Sequence, residues 1–288
     1  MNCPVCNGET FFTWGKAGAY SILRCECCGL GVTSPFPSQE ILAKANSEIY
    51  QAGQRIRIYL SKQGYFEKRY RKYIKSIKRY KEHGALLDIG CSIGLFLKIA
   101  RQNGFATTGV ELNTDCADFG RKHFNIDIYS KRIEDLSFPE ETFDVITIFD
   151  VLEHIPDMDR FLLELGRILK KDGLLMLQSP NIDSFMARLT KTKWNWLTPP
   201  DHLYHFTPGS ITRLLESRGY CIKGIKTWEP AEEFSNNLFI AYCGLLGGII
   251  SEINRRVKIF SLPVILLQRA WWRRMKGGLI TVCAVKRG

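Results

Sequence analysis

The sequence predicts an α/β protein: a seven-stranded, mostly parallel sheet with helices on both faces, a small cysteine-bearing segment in front, and a helical insert before the last strand. Three observations predict it. From Ala85 onward, short apolar runs alternate with segments of helical period. Those segments are long enough to serve as the crossovers that parallel strands need. The first run, Ala85 to Ile89, delivers straight into a glycine-bearing turn and another helix. Composition agrees, since 288 residues with 45% hydrophobic and 24% charged side chains are too apolar for disorder and can bury one large core.

In chain order, residues 1–33 are short, turn-rich and cysteine-rich, and residues 34–53 contain a Pro35-Phe36-Pro37 linker and a short helical stretch ending near Tyr50. From Gln54 to Lys81 the chain is strongly basic. Phe66, Tyr70, Tyr73, Ile74, Ile77 and Tyr80 recur there at steps of three and four, the mark of an amphipathic helix. The core follows: strands at Ala85–Ile89, Ala106–Glu111, Ile126–Tyr129, Phe143–Phe149 and Gly173–Gln178, with helices at about Gly94–Gln102, Asp115–Phe124 and Met158–Leu169. Beyond Pro208 come a helix to about Ser217, a strand from Tyr220 to about Trp228, and a last strand at Leu279–Val285. The domains expected are thus a ribbon at 1–33, a linker and basic helix at 34–82, a catalytic domain at 83–230 with 278–288, and an insert at 231–277. Leu238–Ile250 and Ile259–Trp272 are apolar but shorter than the ~20 residues of a membrane-spanning helix. They read as a cap over the pocket or a hairpin on an anionic membrane surface, with Trp271, Trp272, Arg273 and Arg274 at the interface.

No secretory leader is visible, so a reducing cytoplasm is expected, and clustered cysteines there more often hold metal than disulfides. Cys3-x-x-Cys6 and Cys25-x-x-Cys28 are separated by 18 residues, which is the spacing of a structural zinc ribbon. Four thiolates complete a tetrahedral ion and leave no open position. Cys27 is spare, or exchanges with a neighbour. The net charge of +11 is concentrated in the basic helix and the tail. It admits RNA as a partner, although a charge run is most often a solvated face.

Asp88-Ile89-Gly90-Cys91-Ser92-Ile93-Gly94 lacks the G-x-G-x-x-G of a dinucleotide loop, and Asp88 would repel a diphosphate. This disfavours a nucleotide-dependent oxidoreductase. A phosphate-free cation such as S-adenosylmethionine suits the charge better. Glu111, 23 residues after Asp88 at the tip of the next strand, is placed to accept two ribose hydroxyls.

At these residues the chain resembles the class I S-adenosylmethionine-dependent methyltransferases, in the ubiquinone-biosynthesis-like branch. The Asp88–Gly94 segment looks like their first motif. Ile133-Glu134-Asp135-Leu136 followed by Phe143-Asp144-Val145-Ile146 is similar to their adenine-side segment and fourth strand. Asp150-Val151-Leu152-Glu153-His154-Ile155 and Pro200-Asp201-His202-Leu203-Tyr204-His205-Phe206-Thr207 resemble stretches of that branch. The resemblance covers roughly residues 85–228 and the last strand, and implies a Rossmann-like fold. It implies that Asp88, Gly90, Cys91 and Gly94 hold the amino-acid part of the cofactor and Glu111 the ribose. Glu134 or Asp135 would contact the adenine, Leu112 and Phe149 would supply apolar walls, and Asp150 would complete the cofactor site. Ser92 departs from the family, which usually has glycine there. The acceptor implied is a small molecule, a glycan or a lipid-linked molecule, methylated at a hydroxyl, with His154, His202 or His205 as general base. A zinc-ribbon RNA methyltransferase or a non-catalytic nucleic-acid-binding module is the alternative.

Overall fold

The computed structural model describes residues 1–42, 53–229 and 276–288. The expected insert, apart from its last residues, lies outside those residues, and so does the expected short helical stretch from 43 to Tyr50, while residues 39–42 are helical. The chain divides into two compact units, Met1–Pro37 with Ser179–Arg213 and Ile225–Thr281, and Ser38–Gln178 with Leu214–Gly224 and Val282–Gly288.

The first unit begins with strands β1 (Phe11–Ala17), β2 (Tyr20–Cys25) and β3 (Gly31–Ser34), where the sequence suggested mainly turns. A two-residue turn joins β1 to β2 with Gly18 at φ 60°, a conformation glycine adopts without steric cost. Strand β9 (Tyr204–His205) pairs antiparallel with β3, so the sheet runs β1-β2-β3-β9. Its two-residue length hid it from pattern reading. Gly31 permits the pairing, because a Cβ there would come within 2.9 Å of the His205 Cβ. Below the sheet, Ile22, Ile182, Met186, Ala187, Trp194 and Leu197 form a buried cluster.

The second sheet has strand order β10-β11-β8-β7-β4-β5-β6. Its strands are β4 (Gly84–Ile89), β5 (Phe105–Val110), β6 (Asp127–Tyr129), β7 (Phe143–Phe149), β8 (Leu169–Pro180), β10 (Tyr220–Trp228) and β11 (Leu279–Lys286). The ladders β6–β5, β5–β4, β4–β7 and β7–β8 are parallel. Leu174–Leu177 is buried throughout, as a strand covered on both faces requires. The helices between strands are α3 (Leu95–Gln102), α4 (Thr114–Phe124) and α5 (Met158–Ile168). Asn113 caps α4 by accepting from the Cys116 N–H at 2.9 Å, and Asp157 caps α5 by accepting from the Arg160 N–H at 3.0 Å.

The basic segment is two helices rather than one, α1 (Gln54–Ser61) and α2 (Gln63–Ile77). The Ser61 hydroxyl donates to the Ile58 carbonyl at 3.0 Å, a local bond that competes with continued helix where the chain breaks. Tyr70, Tyr73, Ile74 and Ile77 form the buried stripe of α2. Tyr80, expected to extend it, lies past the helix end and is exposed. After β8 come α6 (Phe185–Thr190) and α7 (Pro208–Ser217). Among the described residues no helix is long and apolar enough to cross a membrane.

Candidate active site and cysteine centre

The chain builds β4, β5 and β6 outward in one direction, then returns to place β7 on the other side of β4. That reversal opens a crevice at the carboxyl ends of β4 and β7, where open α/β sheets bind ligands. The cavity there is lined by Asp88, Gly90, Cys91, Phe149 and Asp150, together with Tyr59, Phe66, Arg69 and Tyr70 from α1 and α2.

The turn after β4 is fixed by backbone geometry. Gly90 has φ 75°, and a Cβ there would lie 2.3 Å from Val151 Cγ2, so both conformation and space demand glycine. The Gly90 and Cys91 N–H groups both donate to the Val110 carbonyl, at 2.8 and 3.1 Å. Gly94 caps α3 at φ 76°. Ser92 takes φ 49°, a left-handed conformation that costs a side chain energy, which explains why glycine suits this position.

Two acids face each other across the turn. Asp88 is buried and accepts from the Thr147 hydroxyl at 2.6 Å. Burial pushes its carboxyl up to about 8, with the Thr147 bond opposing and the Glu111 charge adding to the rise. Glu111 is buried as well, and it clamps two loops: Oε2 accepts from the Ser92 N–H and Oε1 from the Asn113 N–H, both at 2.8 Å. The other residues expected at the site divide by exposure. Phe149 packs edge-on to Phe96 at 5.2 Å, whereas Leu112 is 59% exposed. Glu134 and Asp135 sit on a 3-10 turn, the former half-buried and the latter exposed and paired with Arg160 at 3.6 Å. Cys91 is buried, and Asp150, at φ 58°, accepts from Gln178 Nε2 at 2.8 Å.

Tyr59, Phe66, Arg69 and Tyr70 were not singled out as site residues from sequence. Their spacing announced an apolar face without saying what it covers. In the structure Phe66 stacks on Tyr59 at 4.5 Å, and Tyr70 meets Phe96 edge-on at 5.5 Å. Arg69 donates from Nε to the Tyr73 hydroxyl at 2.7 Å and pairs with Asp150 at 3.4 Å.

The three histidines have different surroundings. His154 is half-buried on a 3-10 turn just past β7, in the same unit as the crevice. The Nδ1 of His202 meets the Trp196 carbonyl at 2.8 Å, so this nitrogen carries a proton, and a neutral ring in this tautomer has its lone pair on Nε2. His205 is buried in β9 with Nε2 at 3.0 Å from the Thr33 hydroxyl. Burial pushes its pKa down to about 3, so it stays neutral and joins β9 to β3.

The cysteine centre is built from two matching loops. Asn7 N–H donates to the Cys3 carbonyl, and Gly29 N–H to the Cys25 carbonyl. Cys3 N–H donates to Gly8, and Cys25 N–H to Leu30, which is the same bond in each loop. Asn7 and Gly29, each following the second cysteine of its pair, both have positive φ. The Sγ atoms of Cys3, Cys6, Cys25 and Cys28 all lie within 4.8 Å of one another. The pairs Cys3–Cys28 and Cys6–Cys25 are at 3.4 and 3.6 Å, too long for disulfides and near the ~3.8 Å edge of a tetrahedron with 2.3 Å zinc–sulfur bonds. Burial raises the Cys25 thiol, but the backbone N–H groups of Cys28 and Cys27 outweigh it and lower the pKa. Cys27 stands outside the cluster, exposed, with Arg213 Nη1 at 3.2 Å from its sulfur.

Comparison with known proteins agrees with this site. A family model described as a methyltransferase domain matches residues 65–222. Ubiquinone biosynthesis O-methyltransferase from Coxiella burnetii is 26% identical over 145 residues, covering 46% of this chain and 62% of that protein. The Actinobacillus pleuropneumoniae serotype 7 protein of the same name is 33% identical over 106 residues, 33% of this chain and 45% of its own length. The chain thus spans less than two thirds of the curated relatives it matches. A SAM-dependent methyltransferase structure from Archaeoglobus fulgidus aligns with TM-score 0.52 and 20% identity, over 85% of this chain and 99% of that one. The [4+2]-cyclase SpnF aligns at TM-score 0.51 and 17% identity, over 75% and 80% of the two chains. At such identity these structures attest the fold, and the family match over more than half of the chain attests the rest. The chain belongs to the class I S-adenosylmethionine-dependent methyltransferases.

Proposed function

We propose that this methyltransferase acts on a hydroxyl of a small molecule, a glycan or a lipid-linked acceptor. The observation that carries the cofactor's placement is the opposition of charge around Gly90. Asp88 on one side and Arg69 on the other suit the ammonium and carboxylate of an α-amino acid. Glu111 holds the turn through Ser92 and Asn113, and its remaining lone pairs suit the ribose hydroxyls. Glu134 or Asp135 suits the adenine amino group, with Leu112 and Phe149 as walls.

When bound, the cofactor supplies a methyl group on a sulfonium, open to in-line attack that leaves the electron pair on sulfur. The chain's own contribution is positioning and removal of the acceptor proton. His154 suits the base best among the three histidines, being half-buried at the carboxyl end of β7. His202 has the tautomer a base needs, and His205 is committed to Thr33. The names of the O-methyltransferase relatives support a hydroxyl acceptor. The test is incubation with methyl-labelled cofactor and fractionated cell extract, followed by the alanine variants of His154, His202 and His205 singly. Label entering protein or RNA alone would overturn the acceptor class, and unchanged turnover in all three variants would overturn the base.

The four cysteines suit one structural zinc, supported by their matched loops. A cytoplasmic setting, with peripheral contact to an anionic membrane through 238–276, rests on sequence alone. It is tested by liposome co-sedimentation with and without anionic lipid. A nucleic-acid partner is favoured by one observation: Lys68, Arg71, Lys72, Lys75, Lys78 and Arg79 are all exposed along α2 and just beyond it, and none makes an ion pair with a described residue. A salt-dependent RNA shift would support that second reading.

A further inference from the structure

Four side chains beside the crevice close a ring of hydrogen bonds. Arg69 Nε donates to the Tyr73 hydroxyl at 2.7 Å, and the Tyr73 hydroxyl donates to Gln178 Oε1. Gln178 Nε2 donates to Asp150 at 2.8 and 3.0 Å, and Asp150 Oδ2 accepts from Arg69 Nη2 at 3.4 Å. The members come from α2, the loop after β7, and β8. The polarity is forced in one direction. Arginine only donates and an ionised aspartate only accepts, so the tyrosine must pass its proton toward the glutamine, and the glutamine must turn its oxygen to Tyr73 and its nitrogen to Asp150. Arg69 and Asp150 line the cavity; Tyr73 and Gln178 do not. They are buried behind it, with the Tyr73 ring packed on Phe149 at 4.8 Å.

We propose that Tyr73 and Gln178 are positioning residues that aim Arg69 and Asp150 into the cofactor crevice, with the one-way polarity of the ring fixing the direction of the guanidinium. The proposal rests on the reading of Arg69 as the partner of the cofactor's carboxylate. Without the ring, Asp150 competes for Arg69 at close range. With it, Asp150 is shared with a neutral amide donor, and the Arg69 guanidinium is held in direction by both Tyr73 and Asp150.

Two ligands separate positioning from general disruption: S-adenosylhomocysteine, which carries the carboxylate, and 5′-methylthioadenosine, which lacks the amino-acid end. Gln178→Glu retains an acceptor for Tyr73 but removes the donor to Asp150 and adds a second carboxylate near Arg69. Calorimetry is expected to show homocysteine-ligand affinity about tenfold weaker than wild type at pH 8, with methylthioadenosine affinity unchanged. Protonation of the new carboxyl restores a hydroxyl donor, so the variant-to-wild-type ratio is expected to shrink toward one as pH falls through that group's pKa. Tyr73→Phe keeps the ring packing and breaks both hydroxyl bonds. It is expected to weaken the homocysteine ligand alone, with no recovery in acid, and it carries the test if Gln178→Glu fails to fold. Equal weakening of both ligands, or no weakening of either, overturns the inference. Failure of the wild-type protein to bind S-adenosylhomocysteine overturns the cofactor reading itself.

Discussion

Asp88 ties the crevice to pH. Its carboxyl is pushed up to about 8 mainly by burial, so near neutrality the free protein holds it mostly protonated. An ammonium or sulfonium placed beside it favours the carboxylate, so binding is expected to release a proton. Cofactor affinity should therefore rise with pH, by up to about tenfold per unit, and level off above pH 8. The sign for folding is opposite. The unfolded chain releases this proton near pH 4 and the folded chain near pH 8, so this contribution to stability is full below about 4 and is lost by about 8. Calorimetry in buffers of different ionisation enthalpy checks the first claim, and denaturant midpoints across pH check the second; Asp88→Asn should flatten both. Ser92 offers a second test. It bears a side chain at φ 49°, and its buried hydroxyl finds no hydrogen-bond partner among the described residues. Ser92→Gly removes both costs and keeps the N–H that Glu111 accepts, so a gain of about 0.5–1 kcal/mol in urea unfolding is expected. The sequence already showed Asp88, Glu111 and the odd serine in their proper order. It did not show that Glu111 clamps two loops, because a carboxylate's partners lie on backbone from elsewhere in the fold.

At the scale of elements, α2 is the segment whose role the sequence left most open. The stripe of Tyr70, Tyr73, Ile74 and Ile77 was legible from spacing, as was the excess of lysine and arginine. Periodicity reports that a face is buried, but not against what, so Arg69 passed for one more solvated cation. In the structure that face carries Tyr70 against Phe96 and Tyr73 against Phe149, and sets Arg69 beside Asp150. A break in helix and an unrecognised two-residue strand escaped for the same reason: both depend on a few tertiary bonds rather than on a repeated pattern. The two faces of α2 should respond differently to mutation. Tyr70→Ala empties a buried aromatic site and is expected to cost about 3–5 kcal/mol, with loss of cofactor binding. Changing Lys68, Arg71, Lys72 and Lys75 together to Gln should move stability by no more than about 1 kcal/mol, because these side chains are exposed and make no ion pair with a described residue. Thermal or urea unfolding measures both. If the quadruple variant also loses a salt-dependent RNA shift seen in wild type, the charge has a partner after all.

Across the whole molecule, the division into two units gives the zinc proposal a clean readout. The sequence placed the ribbon at 1–33, and the cysteine loops are there, but the compact unit around them also takes in Ser179–Arg213 and Ile225–Thr281. Strand β9 and the cluster of Ile182, Met186, Trp194 and Leu197 join Ser179–Arg213 to the cysteine-bearing segment, a long-range association that no local pattern announces. The four described tryptophans, Trp14, Trp194, Trp196 and Trp228, fall within this unit. Asp88, Glu111, Arg69 and Asp150 fall within the other. With Trp271→Phe and Trp272→Phe in place, tryptophan emission therefore reports on the cysteine-bearing unit, while S-adenosylhomocysteine binding reports on the crevice. Purified protein is expected to contain about one zinc per chain. Four ionised thiolates around one ion should add to that unit's folding free energy, beside the buried cluster of Ile22, Ile182, Met186, Trp194 and Leu197. Chelation, or Cys3→Ser with Cys28→Ser, should red-shift tryptophan emission and lower its unfolding temperature, and added zinc should reverse the chelator's effect. Protein that is free of metal, with four reactive thiols and an unchanged tryptophan unfolding curve, would mean that the matched loops hold themselves together without an ion.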